Sequence, residues 1–94
     1  MDFDVFKQSL TAKTPPANSN VYLQSLWYDA KGDWEQAHTL IQDVEGKQAA
    51  WIHAHLHRCE GDVWNANYWY TKAAQRMPGY SFEQEWEEIV KAML

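Results

Sequence analysis

Apolar residues recur in this chain at three- and four-residue spacing almost from end to end, which leaves it little to be except helical. No sustained two-residue alternation occurs, and neither Asn-Gly nor Asp-Gly is present to close a β-hairpin. Phe3, Phe6 and Leu10 stripe a short first helix, ended by Thr14-Pro15-Pro16, because a residue before proline is pushed out of helical geometry. Asn18-Ser19-Asn20 offers N-cap chemistry to a second helix striped by Leu23, Leu26, Trp27 and Ala30, and Gly32 stops it. Asp33 then caps a third helix, with Gln36 placed as in a capping box and a stripe of Trp34, Ala37, Leu40, Ile41 and Val44 that runs to Gly46.

The fourth helix, from about Lys47 to Glu60, is apolar on two sides, with Ala50, Ala54 and His57 on one and Ile52, Leu56 and Cys59 on the other. Such a helix is covered by neighbours on both sides, and its alanines allow close backbone approach. Gly61 ends it. Asp62 caps a fifth helix striped by Val63, Ala66, Tyr70, Ala73 and Met77, and Pro78-Gly79 breaks the chain. Ser81 with Gln84 opens the last helix, striped by Phe82, Trp86, Ile89, Val90 and Met93.

With 94 residues the chain has room for one domain. Its net charge of −5, from 13 acidic against 8 basic residues, opposes nucleic-acid binding, which depends on basic groups displacing counterions. No apolar run is long enough for a membrane span, and MDFDVFKQSL lacks the basic-then-apolar order of a signal peptide. Cys59 stands alone, so no internal disulfide can form, and a cytoplasmic protein is expected. Six tryptophans, five tyrosines and three phenylalanines are many for this length. Most belong in the core of a small domain, and one or two remain for contact with a partner.

A shift of 29 residues lays Gly32-Asp33 on Gly61-Asp62 and Ala37 on Ala66, as expected for repeated helical hairpins. The segment GDVWNANYWYTKAAQRMP, residues 61–78, resembles the turn and second helix of a tetratricopeptide repeat. Gly61 and Asp62 stand at the turn, Ala66 and Ala73 at the small positions, Tyr70 between them, and Pro78 at the end. His53 and His57 depart from that family's pattern, whereas Ala54 keeps its small residue. Over LWYDAKGDWEQAH (26–38), HAHLHRCEGDVWNANYWY (53–70) and EWEEIVKAML (85–94) the chain resembles a group of small uncharacterised bacterial proteins.

The resemblance implies an all-α, right-handed array of about six helices: an N-terminal helix (1–14), hairpins at 20–46 and 47–78, and a capping helix at 81–94. It also implies a concave face lined by the first helix of each hairpin, with Tyr22, Leu26 and Asp29 from one and Trp51, His55 and Arg58 from the next. That mixture suits a peptide or a partner protein, including a second copy in a homodimer, and Trp51, off both apolar stripes, is the expected exposed aromatic.

No constellation for catalysis and no cofactor motif stands out. His53 and His57 share a helix face and offer an i, i+4 pair to zinc or nickel, completed by Glu60 or His38, so a small metal-binding protein is the second reading. His55 points the other way on a helix. Cys59 and His55 make a possible thiolate–imidazole pair with no oxyanion-hole signal. Glu83, Glu85, Glu87 and Glu88 read as a solvated helix face.

Overall fold

Five of the six helices begin where a short polar side chain satisfies an otherwise orphaned amide, and the fourth begins at Gly46 with no side-chain cap. The computed structural model describes residues 1–94 and contains α1 (Phe3–Gln8), α2 (Val21–Ala30), α3 (Trp34–Ile41), α4 (Lys47–Cys59), α5 (Val63–Ala73) and α6 (Phe82–Met93), with no strand. Asp2, Asn20, Asp33, Asp62 and Ser81 each accept from the backbone amide three residues on. The protein is all-α, as the periodicity predicts.

The 29-residue shift corresponds to a repeated turn. Gly32 and Gly61 both have φ +84°, a left-handed conformation that favours glycine. Gly32 N–H donates to Asp29 O at 3.0 Å and Asp33 N–H to Tyr28 O at 2.9 Å. In the second copy, Gly61 donates to Arg58 O at 3.1 Å and Asp62 to His57 O at 2.9 Å. Each Asp therefore closes one helix with its amide and opens the next with its carboxylate. Because Tyr28 O already takes the Asp33 amide, the return bond of a capping box is not needed there.

Three boundaries differ from the periodic reading. The first helix gives way to a 3₁₀ turn at Ser9–Thr11, ahead of the prolines. α3 ends at Ile41, so Val44 reaches the core from the following turn. α5 ends where Ala74 adopts φ +57°, so Met77 packs beside the helix it was expected to extend.

The hairpins are α2–α3 and α4–α5, and each closes over small residues at equivalent positions. Ser25 and Ala37 are fully buried in the first, with Ser25 Oγ donating to Ala37 O at 2.8 Å. Ala54 and Ala66 are fully buried in the second. The main core runs from Phe6 through Leu26, Trp27, Ile41, Ile52 and Leu56 to Trp86, Ile89 and Val90. α6 packs on α1, α2 and α4, and Trp86 Nε1 donates to Leu26 O at 2.8 Å. The molecule measures 33 × 27 × 20 Å, and no helix is long and apolar enough to cross a membrane.

Candidate functional site

α6 occupies the side of the hairpins that the tetratricopeptide resemblance would leave open to a peptide. Its stripe of Trp86, Ile89, Val90 and Met93 needs an apolar face, and α2 and α4 supply it. Leu26 and His55 are consequently buried inside the protein. Tyr22 and Trp51 are half-buried against the core, so Trp51 is not the exposed aromatic expected of it. Asp29 and Arg58, also half-buried, turn toward a polar centre beneath α6.

That centre is Glu85, which is only 1% exposed and corrects its reading as part of a solvated face. Its Oε1 accepts from His55 Nδ1 at 2.7 Å and Arg58 Nη1 at 3.1 Å, and its Oε2 from the Tyr70 hydroxyl at 2.6 Å. Burial by itself would raise the Glu85 pKa, but the bonds from His55, Tyr70 and Arg58 outweigh it and hold the carboxyl below its usual range. Burial likewise opposes charge on His55, yet bonds to Asp29, Cys59 and Glu85 keep its pKa well above the ordinary value. Its Nε2 lies 3.1 Å from Asp29 Oδ2 and 3.4 Å from Cys59 Sγ. An imidazolium with both nitrogens donating to carboxylates has no lone pair with which to take a proton from the thiol. The Cys59–His55 proximity is therefore a hydrogen-bonding arrangement and lacks a general base. Asp29, His55 and Cys59 border a cleft of about 800 Å³ walled by Phe3, Leu10, Phe82 and Trp86.

A second polar cluster lies between α3 and α4. His53 and His57, one turn apart on α4, stack with ring centroids 4.9 Å apart, and His38 comes across from α3. His38 Nε2 is 3.0 Å from His53 Nε2, and one ligating atom from each of the three imidazoles lies within 4.8 Å of the others. Two indoles hold the rings: Trp34 stacks on His38 at 4.7 Å, and Trp69 on His53 at 4.0 Å. Trp34 is itself fixed by donating to Leu56 O at 2.7 Å. His57 Nδ1 donates to Glu60 Oε1 at 2.7 Å. Burial and the neighbouring imidazoles, His57 before His38, lower the His53 pKa to about 4, and burial with His57 lowers that of His38. The sequence reading offers His38 and Glu60 as alternative completions of the pair. The structure places His38 across from His53, and Glu60 behind His57.

The third feature is an aromatic face on α5 that the stripes do not reveal. Trp64 is 76% exposed and Tyr68 46% exposed, one turn apart, with nearly parallel rings 6.3 Å between centroids. Val63, expected on the packed stripe of α5, is instead exposed, and Lys72 Nζ sits 5.2 Å from the Tyr68 ring centre. Trp64 lies off the Val63–Ala66–Tyr70 stripe, as Trp51 lies off the stripes of α4. Trp51 differs because α4 is covered on both sides. Compared with known proteins, the chain matches no family model, no curated protein and no solved structure.

Proposed function

We propose that this domain is a protein-interaction module, with the outer face of α5 as its docking surface. The observation that carries this reading is the exposed Trp64–Tyr68 pair. Trp27 and Trp86 are buried and Trp34, Trp51 and Trp69 half-buried, so the fold has uses for tryptophan that Trp64 does not serve. Large aromatics at the centre of an interface contribute disproportionately to affinity, because they remove much apolar surface from water with few rotatable bonds. The partner is a protein or peptide with an apolar patch, a second copy of this chain included. The tetratricopeptide resemblance and a cytoplasmic setting fit the paired hairpins and the free Cys59 thiol, and docking on α5 replaces docking in the concave groove.

The test couples capture to mapping. The full chain is cross-linked to partners in native lysate, and the cross-linked positions are compared between wild type and Trp64→Ala. The reading expects cross-links on the outer face of α5 that disappear in the variant while its circular dichroism is unchanged. Equal capture by both chains, or cross-links confined to other helices, contradicts it.

A further inference from the structure

The histidine cluster between α3 and α4 is separate from the exposed Trp64–Tyr68 pair on α5. We propose that His38, His53 and His57 form a binding site for a zinc(II) ion, with three imidazole nitrogens as ligands and a fourth position for water.

Three observations carry this beyond a sequence pair. The first is convergence. His53 and His57 come from one helix and His38 from another, yet a ligating atom from each lies within 4.8 Å of the others. His38 Nε2 and His53 Nε2 are 3.0 Å apart. A tetrahedral zinc ion with Zn–N bonds of about 2.0–2.1 Å sets its ligand nitrogens about 3.4 Å apart. Only one of the two facing nitrogens can carry the proton of their hydrogen bond, so an ion that replaces that proton would use both lone pairs.

The second observation is the carboxylate behind a ligand. Glu60 Oε1 accepts from His57 Nδ1 at 2.7 Å, so Nε2 is the ring nitrogen left to ligate. Carboxylate–histidine–zinc arrangements use this geometry to orient the ring and raise its basicity. An Asp62 carboxylate oxygen and a Glu60 oxygen both lie within 4.8 Å of a His57 nitrogen, and they place carboxylates at the edge of the imidazole cluster.

The third is rigidity of the walls. Trp34 stacks on His38 with an 11° interplanar angle and Trp69 on His53 with 16°, which holds those two rings in place, and His57, stacked on His53 at 22°, is the ring that turns to bring its lone pair to a common ion. An all-imidazole set with no thiolate suits a borderline cation such as zinc and disfavours magnesium and calcium, which take oxygen ligands.

The experiment titrates zinc chloride alone into the full chain against a chromophoric chelator, and reads the bound ion by X-ray absorption. The inference expects one equivalent per chain, at micromolar affinity or tighter, with three nitrogens at zinc–imidazole distance. His38→Ala and His57→Ala should each weaken binding by at least about 100-fold, and Glu60→Gln by about 10- to 100-fold. Circular dichroism establishes that each variant is folded. Glu60→Gln, which keeps all three imidazoles, supplies the readout if a histidine variant does not fold. Absence of stoichiometric zinc from the wild type, meaning that the imidazoles only hydrogen-bond to one another, overturns the inference. Binding unchanged in all three variants overturns it too, by placing the ion elsewhere. Trp64→Ala should leave zinc affinity unchanged, so failure of the docking proposal and failure of this one are distinguishable.

Discussion

A carboxylate taken out of water loses several kcal/mol of solvation unless donors replace it, and Glu85 has three: His55, Arg58 and the Tyr70 hydroxyl. Removing its charge strands the others, so Glu85→Gln should cost about 3–5 kcal/mol of unfolding free energy in urea titration. A loss below about 1 kcal/mol would mean that the network contributes little. The same groups shape the pH dependence. Above 6.5, the ordinary histidine value, unfolded chains release a proton that native His55 retains, so stability should fall as pH rises through the raised native value. His53 acts in the opposite direction. Between about 4 and 6.5 the unfolded chain binds a proton that native His53 does not, so stability should fall as pH drops through that window. Glu85 adds to the acid limb below its ordinary 4.5, where unfolded carboxyls protonate before the native one. Denaturant melts across pH should therefore peak near 6.5, and a stability that keeps rising to pH 8.5 would contradict this assignment.

At the scale of elements, the hairpins rest on small residues and shared turns. Ala54 and Ala66 meet at full burial, so Ala66→Leu should overpack the α4–α5 contact and cost about 1–3 kcal/mol, read as a lowered melting temperature. An unchanged melt would remove the close approach from the account. Asp62→Ala should lower the melting temperature by uncapping α5. These features were legible because they are local: Gly32 and Gly61, Asp33 and Asp62, and the Ser81 cap each act within a few residues of their own position. The ends of α3 and α5 were not. Val44 and Met77 continue the apolar rhythm, but each reaches its packing partners from non-helical backbone, and a stripe does not distinguish that from another helical turn.

Across the whole molecule, the decisive event is the docking of α6 on α2 and α4, which pairs residues far apart in sequence. Glu85 shows why its site was missed: its neighbours Glu83, Glu87 and Glu88 suggest a wet face, and only its i, i+4 relation to the buried Ile89 marks it as inward. His53 and His57 were legible as a pair from helical spacing, whereas the side on which His38 joins them depends on the angle between α3 and α4. Trp86→Ala should cost about 3–5 kcal/mol and loosen α6, measured as faster amide exchange in α6. Docking through Trp64 is the central functional claim, and fluorine NMR of the chain labelled with 5-fluorotryptophan tests it most directly. Six resonances are assigned by single Trp→Phe replacement and followed as the chain is concentrated or mixed with its captured partner. The account predicts that the Trp64 resonance moves from a solvent-exposed to a buried environment, while those of Trp27 and Trp86 stay in place. A Trp64 resonance that stays solvent-like in the complex would contradict it.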